Sequence, residues 1–276
     1  MNTYSLRYDG TIDHFSPPVD LQEAKQLIIR RAGELVNELV KRRQREEPPF
    51  LAEALAPLLD IKEILKTDLG ELSALLVRSR DGYILKVNAS HHPVRQNFSC
   101  AHEIGHILLD ELAKQHLSSG TDFRGISQVT GKTKERLCDI AATELLMPAP
   151  VFSKYLVDFG LCIDSVERLA HIFKVSIPAA AIRVQEIDIE GCWAIRWKRW
   201  QRNRSKGFIQ DWTREPARRT YVRDPSALLK AYESNDTVKS FKCFEIGNVR
   251  KRCLLESKGF GHDKTRYVLS LVFPDR

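Results

Sequence analysis

The segment 99–111, SCAHEIGHILLDE, restricts what this chain can fold into more than any other stretch. Two histidines, 102 and 106, stand one helical turn apart, and a glutamate follows the first. Ile104, Ile107, Leu108 and Leu109 form an apolar stripe. On an α-helix, positions i and i+4 share a face, so both imidazoles point the same way. Burying two imidazoles and a carboxylate beside such a stripe is costly unless a metal ion or hydrogen-bonding partners satisfy them. The segment therefore predicts a buried helix whose polar face carries a site.

The remainder of the chain is long enough to bury that helix. Its 276 residues suit one large domain or two ordinary ones, and 43% hydrophobic with 29% charged residues is a globular composition. No apolar run approaches the ~18 residues needed to span a bilayer. The N-terminus has no basic stretch leading into an apolar one, so no signal peptide is expected. Six scattered cysteines without Cys-x-x-Cys spacing argue against a thiolate zinc site and a dense disulfide framework. They fit a reducing cytoplasm.

Periodicity supplies the order of elements. Leu21, Ala24, Leu27, Ile28, Ala32, Leu35, Val36 and Leu39 recur at helical spacing behind Asp20, a predicted N-cap, and REEPP ends that helix. FLAEALAPLLDIKEIL reads as one or two short helices. Leu72–Val77 and Tyr83–Val87 then read as a hairpin around Asp81-Gly82. Helix returns from about Pro93 to Leu117. After a polar loop, KERLCDIAATELL forms another helix that stops at Met147-Pro148, and three short helices follow to about 187. Beyond them CWAIRWKRW, RTYVRD, SFKCFEI and RYVLSLVF have strand texture.

The His-Glu-x-x-His spacing suits one kind of chemistry. A catalytic zinc takes three protein ligands and a water whose pKa falls to about 7. Glu103, rotated about 100° from His102, is placed to take that water's proton rather than to bind metal. Gly105 lets a strand or substrate approach closely. A third ligand is required, and the residues alone leave Glu135, Glu144, Asp139 and His116 as candidates. Glu135 and Asp139 form an i, i+4 pair, so one can bind metal while the other orients a histidine.

VRQNFSCAHEIGHILLDE followed by ERLCDIAATELLMPAPVF resembles the ImmA/IrrE family of metallopeptidases, over about residues 72–185. The resemblance implies that His102 and His106 are metal ligands, Glu103 the general base, Glu135 the third ligand and Asp139 a supporting carboxylate. It implies zinc, with manganese as the alternative. Cys138 stands where the family usually has Ala, and Ile140-Ala141 replaces the common Phe-Ala pair. Both are small or apolar changes at expected core positions.

Residues 165–184, SVERLAHIFKVSIPAAAIRV, have the pattern of a helix-turn-helix, but Arg183 is the single basic residue of its second helix. Packing against the peptidase is the better reading than DNA recognition. His171 and Tyr155 are additional polar groups that such packing could bring near the metal. Charge is uneven along the chain. Residues 1–185 hold 23 Lys+Arg against 24 Asp+Glu (−1), whereas residues 186–276 hold 20 against 12 (+8). Three tryptophans interleave with the basic residues in GCWAIRWKRWQRNRSK, a recipe for single-stranded nucleic acid. A half-exposed strand with Trp193, Ile195 and Trp197 on one face explains the same alternation.

The expected fold class is α+β. Residues 1–19 form an irregular lead and 20–150 a mostly helical, zincin-like peptidase with a small sheet. Residues 151–186 form a helix-turn-helix-like segment packed on it, and 187–276 a basic, β-rich module. The expected function is a cytoplasmic metalloendopeptidase making a restricted cut in a protein partner. The resemblance implies a helix-turn-helix repressor, whose cleavage derepresses stress-response or mobile-element genes. The substrate would add as a strand to an exposed sheet edge, for which Tyr83, Ile84, Leu85, Lys86 and Val87 are the candidate. The competing expectation is a non-catalytic regulator that binds a protein or DNA through the basic C-terminal module. No membrane partner is expected.

Overall fold

The computed structural model describes residues 21–119, 129–187, 192–202, 205–213, 225–246, 249–262 and 265–274. The expected N-terminal lead, the Asp20 cap, most of the polar loop after residue 119 and the RTYVRD strand lie outside the described residues, as does the His116 side chain. Among the described residues no helix is long and apolar enough to cross a membrane.

The apolar stripe of the first helix, α1 (Leu21–Arg43), is buried at Ala24, Ile28, Ala32, Leu35, Val36 and Leu39. It packs on α3 (Pro93–Ser119) and α4 (Gly131–Leu146), the two helices that carry the motifs. Arg31 pins α1 to α3 by donating to one oxygen of Glu111 from Nε at 3.1 Å and from its terminal nitrogen at 2.9 Å. Between α1 and α3 lie a short α2 (Ala52–Leu55), a 3-10 turn and three strands: β1 (Ile61–Thr67), β2 (Ala74–Ser79) and β3 (Gly82–Asn88).

Two sequence expectations fail in this region. IKEILKT is strand β1, not helix. The order β1-β3-β2 also makes β3 the middle strand, parallel to β1 and antiparallel to β2. Tyr83–Val87 is therefore paired on both sides and offers no free edge; the edge strands are β1 and β2. Arg80 and Asp81 form the hairpin turn and Gly82 opens β3 at φ +139°. A side chain at Gly82 would collide with the Asp60 carbonyl oxygen. Only glycine accommodates both constraints.

Three short helices follow: α5 (Ala149–Phe159), α6 (Ile163–Phe173) and α7 (Ile177–Ile187). A five-stranded antiparallel sheet in the order β5-β4-β8-β7-β6 completes the chain. Its strands are β4 (Trp193–Arg202), β5 (Ser205–Thr213), β6 (Val238–Ile246), β7 (Val249–Phe260) and β8 (Tyr267–Pro274), with α8 (Ser226–Ser234) between β5 and β6. Neither β5 nor α8 was apparent from sequence texture. The fold is α+β, as expected.

Alternation along β8 divides the sheet between two cores. Val268 and Val272 face α8 with Ile195, Trp197 and Phe208. Leu269 and Leu271, with Ala194 and Phe260, join the core that contains α3, α4, α6 and α7. Trp197 is fully buried and its Nε1–H donates to Ser270 Oγ at 2.9 Å.

Candidate metal centre

Helices α3 and α4 approach closely because α3 carries no side chain at 105. A Cβ there would lie 2.9 Å from Cys138 Cα and 3.0 Å from its carbonyl oxygen. Gly105 thus admits a neighbouring helix rather than a strand or substrate. That contact lays Glu135 and Asp139 of α4 alongside His102 and His106 of α3.

Asp139 Oδ1 lies 2.8 Å from His102 Nδ1. A carboxylate only accepts, so Nδ1 carries the proton and donates, and Nε2 is turned toward Glu135. Glu135 Oε2 is 3.1 Å from His102 Nε2, and its Oε1 is 3.7 Å from His106 Nε2. The two rings stand 5.2 Å apart, nearly perpendicular. Two imidazole nitrogens and a carboxylate converging in this way need positive charge at their centre.

Zinc bonds to N and O of 2.0–2.1 Å place tetrahedral donors roughly 3.3 Å apart, which the 3.1 and 3.7 Å spacings bracket. The donor set fits zinc. Cys138 also offers a sulfur, with the three ligand atoms of His102, His106 and Cys138 within 4.8 Å of one another. That spacing is loose for one ion, and burial pushes the Cys138 thiol up, against the thiolate a metal requires. Glu135 fits better.

The electrostatics are those of a half-buried polar cluster. Burial alone would hold the His102 pKa down, but the hydrogen bond and charge of Asp139, with Glu103 and Glu135, outweigh it and raise the value. At His106 burial prevails and lowers the pKa, favouring the neutral ring that ligates metal. Burial raises the Glu103 carboxyl, opposed by His102 and by the Leu76 N–H of β2, and supported by the Glu135 charge. Ser73 O accepts from Asn88 N at 3.0 Å, so alternation along the ladder turns Leu76 N–H outward at the free edge.

The remaining candidates fall elsewhere. Glu144 is buried and ion-paired with Arg183 of α7, and its Oε1 accepts from Ala149 N at 3.0 Å. Arg183 Nε also donates to the Met147 carbonyl at 2.9 Å. This pair fastens α7 to the end of α4 and takes the single basic residue of α7 out of reach of DNA. Tyr155 stacks edge-on with Phe159 and Phe173 in the core. His171 is exposed on α6.

Residues 63–185 match the family model described as the IrrE N-terminal-like domain. Over this segment, a little under half of its length, the chain is similar to the ImmA/IrrE family. It is 32% identical over 105 residues to the radiation response metalloprotease IrrE of Deinococcus radiodurans, covering 37% of this chain and 31% of that protein. To the IrrE of Deinococcus deserti it is 31% identical over 123 residues, 42% of each chain. The chain thus spans less than half the length of these IrrE relatives. A Mycobacterium tuberculosis transcriptional regulator shares the fold, with a TM-score of 0.57, 12% identity, and coverage of 93% of this chain and 81% of that one. Every cluster residue lies inside the IrrE-like segment.

The basic C-terminal residues are largely engaged where described. Arg196 and Lys198 both pair with Asp211, at 3.3 and 3.2 Å. Lys239 pairs with Glu256 at 2.7 Å, and Lys258 with Asp164 and Glu167 at 2.8 Å each. Trp197 is core and Trp193 half-buried, so neither offers a stacking platform.

Proposed function

We propose that this protein is a zinc-dependent endopeptidase that makes a restricted cut in a protein partner. The observation that carries the reading is the convergence of Glu135 on the Nε2 atoms of His102 and His106, with Asp139 holding the other side of His102. His102, His106 and Glu135 would hold the ion, manganese being the alternative occupant. A bound zinc ion supplies a Lewis acid that polarises the scissile carbonyl and eases ionisation of water.

Glu103 accepts a proton from the attacking water and returns it to the leaving nitrogen. Its raised pKa brings it toward the range where one carboxyl serves as both base and acid. The Leu76 N–H keeps that carboxyl beside the β2 edge. The substrate strand adds to that edge, through the outward-facing backbone of Ala74 and Arg78, and not to Tyr83–Val87.

The partner in this reading is a helix-turn-helix repressor whose cleavage releases stress-response or mobile-element genes. The radiation-response names of the two Deinococcus relatives support a stress role. All six cysteines are free, which supports a reducing cytoplasm. The test is metal content by mass spectrometry beside cleavage of co-expressed candidate repressors. About one equivalent of zinc, lost in Glu135→Ala, with cleavage lost but zinc retained in Glu103→Gln, supports the proposal. Wild-type protein that takes up no metal from a zinc-supplemented buffer refutes it.

A further inference from the structure

β2 runs beside α3 in the same direction. Arg95 donates to Ser73 Oγ at 2.9 Å, Glu103 meets Leu76 N–H, and Arg78 lies 3.7 Å from Asp110. α4 flanks the other side in the opposite direction, with Lys134 3.6 Å from Asp110 and Asp139 at His102. The His-Glu cluster lies midway along this track. From Asp110 back to Val94 is about 24 Å at 1.5 Å per helical residue, the length of roughly seven extended residues.

The two ends of the track differ in chemistry. Arg78, Lys134 and Asp110 make one end charged. At the other end, a cavity of about 470 Å³ opens at Asp139 and is walled by Phe98, Ile140, Pro178, Ala179 and Ile182. A second cavity of about 360 Å³ shares Phe98, Ser176 and Ala179 with it and continues to Val94 and Val175. Together they form one apolar groove between α3, α4 and the N-terminal half of α7. Asp139 lies 2.8 Å behind His102, so the groove begins within about two extended residues of the reacting centre.

We infer that this groove is the specificity site of the peptidase, receiving apolar side chains of the substrate strand on the Ser73–Arg95 side of the cut. The inference rests on the endopeptidase reading above. The occupant is an extended polypeptide, because the groove continues the track that β2 lines with free backbone groups. It is an apolar one, because the walls present carbon.

The test is binding of peptidyl hydroxamates to zinc-loaded full-length protein by calorimetry. Two series extend the peptide in opposite directions from the metal-gripping hydroxamate, each with Gly, Leu or Phe at the first three positions. In one series, Leu or Phe binds about tenfold or more tightly than Gly. Ala179→Trp, which fills the groove, abolishes that preference while the Gly compound and zinc content stay unchanged. Ile182→Ala, which enlarges the groove, shifts preference from Leu toward Phe. Equal affinity for Gly, Leu and Phe in both series overturns the groove assignment and leaves the peptidase reading standing. Failure of every hydroxamate to bind overturns both.

Discussion

Gly105 of α3 faces Cys138 of α4 with no room for a side chain between them: a methyl group at 105 would sit 2.9 Å from Cys138 Cα. In an exposed helix, replacing glycine by alanine stabilises by up to about 1 kcal/mol. Here the obstacle is backbone that cannot rotate away. Gly105→Ala is expected to destabilise by about 1–3 kcal/mol through overpacking and to weaken zinc binding by separating the histidines from Glu135. Urea unfolding and zinc titration measure both effects. A more stable variant of unchanged affinity would show that the helices are not held at this distance.

The third ligand is decided by comparing two residues one turn apart. Cys138→Ala is expected to keep about one equivalent of zinc, and Glu135→Ala to lose it. Asp139→Asn, which disturbs the Nδ1–H partner of His102, should weaken affinity about 10–100-fold without abolishing it. Competition with a chromophoric chelator resolves the three. Retention in Glu135→Ala with loss in Cys138→Ala would transfer the ligand role to the thiolate.

Arg183 and Glu144 have side chains 8% and 6% exposed, so removing one partner strands a buried charge. Arg183→Met is expected to cost about 3–5 kcal/mol, and Glu144→Gln combined with Arg183→Met less than Arg183→Met alone. Denaturant midpoints test this. A double variant at least as unstable as Arg183→Met would mean that the Met147 and Ala149 contacts, not the charge pair, dominate.

Acid should weaken the junction between α6 and the C-terminal sheet. The Lys258 ammonium holds the Asp164 carboxyl below its ordinary value, against a smaller opposing effect of burial and with help from Thr237. A carboxyl depressed in the folded state stabilises above the unfolded pKa, near 3.9, and that contribution fades as pH falls through the lower folded value. The melting-temperature gap between wild type and Asp164→Asn is therefore expected at pH 7 and should close below about pH 4. A gap that persists at pH 2.5 would assign it to packing.

The sequence reveals one strand of this logic better than the others. Helices α3 and α4 were legible because their apolar periods are strong, and the i, i+4 histidines follow from helical geometry. Which α4 carboxylate turns inward was not, because Glu135, Asp139 and Glu144 all suit a helix; the contact at Gly105 decides it. IKEIL fits helix and strand equally, and it becomes β1 by pairing with Ile84–Val87, more than twenty residues later. Without β1 the hairpin seems to leave Tyr83–Val87 at an edge. The partners of the basic residues after residue 186 were not legible for a similar reason. Lys258 meets Asp164 and Glu167 over ninety positions away, and no local pattern announces such partners.

The two faces of β8 bear on how the molecule can be divided. Val268 and Val272 belong to the layer under α8, Leu269 and Leu271 to the layer under α6 and α7. Glu256 of β7 also accepts the Ile163 N–H at 3.1 Å, closing the start of α6 from across the sheet. A chain cut near residue 187 would leave both products with a bare oily wall, and one of them with an open helix end. The two halves are therefore expected to fold together, and truncation there should yield aggregates rather than two working modules.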